Sequence, residues 1–184
     1  MITDIFENTD FSNDNFAIIG RLLYLATQYE KAFRAYFTIN VCKYPALFED
    51  KLDKLRKIDT EQSLENIYCD IYAITSKLCF DKIISIFFDI IDVIIPSKEI
   101  KDKFIKAKKF RNYIAHELCN FEIERIEIDS IAEKLQNEMR VECRQLIECV
   151  LMMECAICDF NKEPVSVNIA KKVDKIYCWI LNSK

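Results

Sequence analysis

Arg111, Asn112 and His116 are the residues of this sequence whose types and spacing are best suited to chemistry. His116 is the only histidine in the chain, and histidine side chains accept or donate protons near neutral pH. An arginine guanidinium group can bind two phosphate oxygens at once. Cleavage of RNA by its own 2′-hydroxyl needs a base, an acid and positive charge on the phosphate. The cluster therefore contains the groups that metal-independent RNA cleavage needs, although an arginine near a histidine on a helix is ordinarily a surface or packing pair.

Helical spacing explains how these three residues could cooperate. Asn112 and His116 are four residues apart, so they share one side of a helix, where the amide can orient the imidazole. Arg111 and His116 are five residues apart, which is about 140° on an ideal α-helix. We therefore expect Arg111 and His116 to flank a common face. Because one histidine cannot easily be both acid and base in a single turnover, a symmetric dimer with two copies of the cluster around one groove is the economical arrangement.

The charge around the cluster supports an anionic ligand. Residues 98 to 111 contain seven basic and two acidic side chains, a net charge of +5 in a chain of −4, which leaves −9 for the rest. A pI of about 5.2 excludes a protein that coats nucleic acid non-specifically, but this local field would attract RNA to one helix. Lys109 lies one turn before Asn112 and His116 on the same side of the helix. The predicted RNA-binding residues are Lys109, Lys108 and Tyr113.

The run from Arg111 to His116 resembles the Arg-x4-to-6-His motif of the higher eukaryotes and prokaryotes nucleotide-binding (HEPN) domains. The resemblance implies a small helical bundle and a metal-independent ribonuclease, a toxin or an anti-phage defence effector, whose active site two subunits share. It assigns phosphate binding to Arg111, proton transfer to His116, and positioning of the imidazole or the substrate to Asn112. It also implies an antitoxin or defence-system partner and no cofactor.

One position departs from the family pattern. In HEPN toxins paired with a nucleotidyltransferase antitoxin, a tyrosine two residues after the histidine is the modification target, and this chain has Leu118 there. That mode of regulation is therefore not expected here.

Composition predicts the elements that must position the cluster. The chain has 184 residues, 51% of them hydrophobic, with one glycine and three prolines. So few turn residues favour helices over strands, and we predict an all-α, HEPN-like bundle of five or six helices. A single domain is expected over residues 1–184, with a loose arm over residues 1–12.

The compartment is also predicted from composition. Nine cysteines, an odd number, are scattered along apparent helices, which indicates reduced thiols in a cytoplasmic protein. No basic and apolar secretory signal is visible at the amino terminus. The longest apolar run, residues 83–95, contains Ser85, Asp89 and Asp92 and is too short and polar to span a bilayer. No membrane association is expected.

Proline positions and capping patterns predict where the helices begin and end. The expected segments are a helix from Asn13 or Asp14 to Asn40, a short helix after Pro45, a segment from Asp59 to Ile95 with a break near Phe80, a helix from Lys98 to Asn120, a connector over 121–128, a helix from Ser130 to Asp159, and a last helix after Pro164.

For two other residue patterns we favour a structural role over metal binding. Asp89 and Asp92 could hold a divalent cation, but they belong to a polar stripe and no third ligand is placed by the sequence. Cys155 and Cys158 have zinc-ligand spacing without a second pair, so packing is the better interpretation. Two alternatives to an enzyme also stay open. One is a helical module that binds nucleotide, RNA or protein without cleavage, and the other is a structural protein in which Arg111 pairs with Asp89 or Asp92.

Overall fold

A computed structural model of the chain describes residues 15–52, 63–117, 130–165 and 168–181. Within these ranges the protein is all-helical and has no strand. Its elements are α1 (Asn15–Lys43), a 3₁₀ turn (Pro45–Leu47), α2 (Leu64–Thr75), α3 (Phe80–Ile94), α4 (Lys98–Asn112), a π-helical turn (Tyr113–Glu117), α5 (Ser130–Asn137), α6 (Arg140–Phe160) and α7 (Ile169–Leu181). The prediction of an all-α fold is confirmed. The predicted arm, the Asp59 cap, the 121–128 connector and Leu118 lie outside the described residues.

The predicted count of five or six helices is wrong, because the described residues form seven. The helix expected over Ser130–Asp159 is divided after Asn137, where the Lys134 carbonyl accepts hydrogen bonds from both the Glu138 and the Met139 amides, each at 2.8 Å. This doubled acceptor ends α5, and α6 starts again at Arg140.

The second division, between α2 and α3, matches the predicted break near Phe80. Arg34 of α1 donates from Nη1 to the carbonyl oxygens of Thr75 at 3.4 Å and Leu78 at 3.0 Å. Its guanidinium group also lies 5.8 Å from the centre of the Phe80 ring. Carbonyls at a helix end have no partner within the helix, and Arg34 supplies one.

The helices form two compact units. Unit 1 takes its described residues from 1–29, 102–152 and 166–184, and unit 2 takes them from 30–101 and 153–165. Helices α1, α4 and α6 therefore each contribute residues to both units.

Aromatic packing builds the core of unit 2. Phe33 is fully buried and makes edge-on contacts with Phe80 and Phe87, with ring centres 5.7 and 5.0 Å apart. On α3 the predicted polar stripe is confirmed, because all four of its residues are exposed: Lys82, Ser85, Asp89 and Asp92. The opposite side of α3 is apolar and buried, which explains the long hydrophobic run without any membrane segment. Within the described part of the chain, no helix is long and apolar enough to cross a bilayer.

A pair of buried hydroxyl groups joins α1 to α2 in this core. The Oγ1 atoms of Thr38 and Thr75 lie 3.1 Å apart, and both side chains are fully buried. A Thr38→Val substitution keeps the shape but removes the hydroxyl, so we expect the free energy of unfolding to fall by about 1–3 kcal/mol. Thr27→Val is the matched control. Thr27 and Thr38 each donate a hydrogen bond to the carbonyl oxygen four residues earlier in α1, but Thr27 is exposed. That control is expected to change stability by less than about 0.5 kcal/mol in urea unfolding. Equal effects of the two variants would contradict this role.

Unit 1 contains most of the motif-bearing helix α4 together with parts of α1 and α6 and with α5 and α7. The buried Arg21 of α1 donates from Nε to the Ile180 carbonyl at 3.1 Å, and its guanidinium lies 5.7 Å from the centre of the Trp179 ring. Tyr177 of α7 donates its hydroxyl to the Leu135 carbonyl at 2.8 Å. These bonds tie α1 and α5 to α7. The core of unit 1 also contains buried apolar residues of α1, α4 and α6: Leu22, Leu25, Phe104, Ala107, Phe110, Leu146 and Ile147.

Candidate functional site

The candidate site lies in unit 1, at the end of α4 and in the π-helical turn that continues it. Ser97, directly before the predicted start at Lys98, caps this helix: the Ile100 amide donates to its Oγ at 3.5 Å. The apolar side is buried at Phe104, Ala107, Phe110 and Ile114, as their spacing of three or four residues predicts for a helix. Because one side of the helix is held in the core, the polar residues between these positions have fixed directions.

The π-helical turn changes the geometry within the motif. Its hydrogen bonds run from residue i to residue i+5, so each turn contains more residues than an α-helical turn. Residues five apart consequently come closer to one side of the helix than the roughly 140° of an ideal α-helix allows. Arg111 lies just before this turn and His116 lies inside it. The wide turn therefore reduces the angle between the two residues that the motif pairs. Such single π turns are frequent at functional sites.

Arg111 is half-buried, and two groups define its surroundings. Its Nη1 donates to Asn112 Oδ1 at 3.0 Å. Burial lowers the pKa of the guanidinium, whereas the electrostatic interaction with Tyr29 raises it. Arginine stays charged at neutral pH in either case. The structure thus gives Arg111 a partly dry environment, in which a charge attracts a phosphate more strongly than it would in water.

Tyr29 is a residue of this site that the sequence did not indicate. It lies on α1, is 0% exposed, and interacts electrostatically with Arg111. Burial, and secondly the neighbouring Cys149, raise the pKa of Tyr29 well above its ordinary value, and Arg111 opposes that rise. In the sequence Tyr29 looks like one more apolar position of a long amphipathic helix. No local signal connects it to a residue more than eighty positions away.

Asn112 makes a different contact from the one its spacing suggested. Its Oδ1 accepts a hydrogen bond from Arg111. Among the described contacts, that bond to Arg111 is present and none joins the amide to His116. The amide therefore orients the guanidinium that would hold the phosphate.

His116 is exposed to solvent, so a ligand can reach its ring. Lys109, one of the predicted RNA-binding residues, is exposed as well, whereas Lys108 and Tyr113 are half-buried. The Tyr113 ring is stacked on Phe110, with centres 6.2 Å apart and planes 13° from parallel. One face of Tyr113 is thus in contact with the core of unit 1.

The positive charge of α4 is partly balanced by neighbouring carboxylates. Lys101 pairs with Asp92 in unit 2, and Lys103 pairs with Glu148 of α6 in unit 1 at 2.8 Å. Lys106 and Lys109 are exposed on the last turns before the motif. Positive charge that could act on a ligand therefore remains exposed near the motif, and also at Lys98 at the start of the helix.

The alternative assignments gain no support from the contacts. Asp89 pairs with Lys51 at 2.9 Å and Asp92 pairs with Lys101, so each aspartate has a lysine partner within unit 2. Within the described ranges, no three histidine, cysteine, aspartate or glutamate side chains converge on a metal position. Cys155 and Cys158 are half-buried on α6.

Comparison with known proteins found no matching family model, no similar curated protein and no similar solved structure. The functional assignment of this chain therefore rests on its own residues and their geometry.

Proposed function

We propose that this protein is a metal-independent endoribonuclease that acts as a homodimer. The observation that carries the proposal is an exposed histidine one wide helical turn after a half-buried arginine. Asn112 orients that arginine. The exposed lysines of α4 lie on the approach to the pair and add the attraction that an RNA backbone requires.

The chemistry follows from the proton and charge movements of the two side chains. His116 of one subunit removes the proton of a 2′-hydroxyl, and the resulting oxygen attacks the adjacent phosphorus. The bond from phosphorus to the 5′-oxygen breaks, and the partner subunit's His116 gives its proton to that oxygen. Arg111 stabilises the negative charge that develops on the phosphate. The products are a 2′,3′-cyclic phosphate and a free 5′-hydroxyl.

This mechanism requires a dimer, because it uses two histidines and each chain supplies one. Two-fold symmetry would bring a second copy of the same cluster to one groove. The resemblance to HEPN toxins and defence effectors supports a cytoplasmic role in growth arrest or phage defence, with an antitoxin or trigger protein as partner.

The test is cleavage of a mixed RNA and of DNA of the same sequence by the purified protein in excess chelator. We expect RNA fragments that end in cyclic phosphate and no DNA fragments, because DNA has no 2′-hydroxyl to act as nucleophile. Cleavage of both nucleic acids, or cleavage only when a divalent metal is added, would contradict the mechanism. RNA binding without cleavage would instead favour the non-catalytic module.

A further inference from the structure

A row of aromatic rings lies on unit 2, away from the residues of the motif in sequence. The Phe160 and Tyr68 ring centres are 6.0 Å apart, and those of Tyr68 and Tyr72 are 6.1 Å apart. The two tyrosine planes are only 14° from parallel. Lys43 extends the row at its other end, because its Nζ lies 5.8 Å from the centre of the Phe160 ring. We call these four side chains the aromatic row.

The aromatic row is accessible. Tyr72 is 44% exposed, although one face of its ring is stacked on Tyr68. The Tyr72 side chain is thus partly open to solvent. Lys43 is exposed, and Tyr68 and Phe160 are half-buried. A flat ligand can thus continue the stack on Tyr72 without moving any core residue.

We propose that the aromatic row is a stacking platform for the unpaired bases of a single-stranded RNA. Bases stack on exposed aromatic rings with little sequence preference, and a neighbouring cation holds the phosphates. The near-parallel tyrosine pair, with the Phe160 ring tilted by 36° to Tyr68 and Lys43 beyond it, offers both elements. The inference takes RNA as ligand from the proposed function, and it adds that the substrate is unpaired where the row binds it.

The shape of the row favours a nucleic acid strand over a protein surface. Exposed carboxylates lie near it in the chain, at Glu65 and Asp70 on α2 and at Asp159 and Glu163 beside Phe160. A stable protein interface needs a broad surface with few charges at its centre, whereas the rings here form a narrow line. The carboxylates repel phosphates, so the backbone of a bound strand would run past Lys43, whose ammonium group lies over the Phe160 ring.

The test is the affinity of the full-length His116→Ala protein for a fluorescein-labelled 12-nucleotide adenosine RNA, measured by anisotropy in chelator. Tyr72→Leu keeps apolar bulk against Tyr68 but removes the ring, and we expect it to weaken binding by about 5- to 100-fold. Tyr72→Phe keeps the ring and should stay within about 2-fold. Tyr44→Ala is the matched control, because Tyr44 is 49% exposed and lies outside the aromatic row.

Two further measurements sharpen this test. Lys43→Gln should reduce the slope of log affinity against log salt by about 0.7, as expected for one lost phosphate contact on a single strand. A 12-base-pair RNA duplex should bind more weakly than the single strand, and the loss at Tyr72→Leu should be smaller for it. Unchanged affinity of Tyr72→Leu, an equal loss at Tyr44→Ala, or dissociation of a dimer with intact RNA affinity would each overturn the proposal.

The outcome is separate from that of the proposed nuclease. Single-stranded DNA has the same base faces, so it should also lose affinity at Tyr72→Leu, although it cannot be cleaved. A protein that binds through the aromatic row but does not cleave would refute the nuclease and keep the platform. Cleavage that is insensitive to Tyr72→Leu at all substrate concentrations would do the reverse.

Discussion

Replacing His116 by alanine is expected to lower the rate of RNA cleavage by about 10²- to 10⁴-fold, the usual contribution of a positioned proton-transfer group. The substitution removes the single imidazole of each chain and leaves Arg111 in place. Because His116 is exposed, no core contact is lost and the unfolding midpoint should stay unchanged. Single-turnover cleavage of a labelled RNA, with binding measured in parallel, checks the result.

Affinity for RNA should be retained in this variant within a few-fold, because Arg111 and the exposed lysines carry the phosphate contacts. A matched loss of binding and cleavage would mean that His116 holds the substrate and transfers no proton. Cleavage at the wild-type rate would refute the catalytic assignment, and the segment would then be a binding surface.

The proposed shared site gives this substitution a second expected effect. When wild-type and His116→Ala subunits are expressed together, a mixed dimer has one histidine for two proton transfers. We therefore expect the mutant subunit to suppress the activity of the wild-type subunit beside it. Activity that falls only in proportion to the wild-type fraction would indicate that each subunit works alone.

Substitution of Arg111 is expected to have the second largest effect, about 10²- to 10³-fold on the rate for Arg111→Met, as for other groups that stabilise transition-state charge. Arg111→Lys keeps a positive charge but loses the planar group that donates to Asn112 Oδ1. We expect it to recover only part of the rate. The half-buried position also makes the comparison sensitive to the fold, so unfolding in urea should be measured for each variant.

Lys106→Met is the matched control for this prediction, because it removes an exposed positive charge from the same helix. It should weaken binding modestly, reduce the salt dependence and leave the rate at saturating RNA nearly unchanged. If Lys106→Met and Arg111→Met lowered the saturated rate equally, the effect of Arg111 would be one of general charge and not of a positioned group.

Local sequence patterns predicted the helical class of this protein and the buried sides of two helices. The scarcity of glycine and proline predicted the helical class, and the spacing of Phe104, Phe110 and Ile114 predicted the buried side of α4. Periodicity also predicted which polar residues of α3 face solvent. These features depend on residues within a few positions of each other, because helix formation and the burial of one side are local properties of the chain.

The π-helical turn is local but was not predictable from periodicity. Phe110 and Ile114 are four residues apart and are both buried in the structure, as an α-helix would also require. The apolar pattern is therefore the same for both helix types. The structure has the π-helical turn, which brings Arg111 closer to the side of His116 than an α-helix would.

Long-range contacts decided the rest. Tyr29 interacts electrostatically with Arg111. Arg34 donates a hydrogen bond to the Leu78 carbonyl just after α2, and the Phe160 ring lies next to the Tyr68 ring of α2. Each contact joins residues far apart in the chain, and no spacing rule relates such residues to each other. The helical class and the residue types available for chemistry could thus be predicted from local sequence patterns. Tertiary packing decided which of those residues meet, because burial and pairing depend on which helices come together.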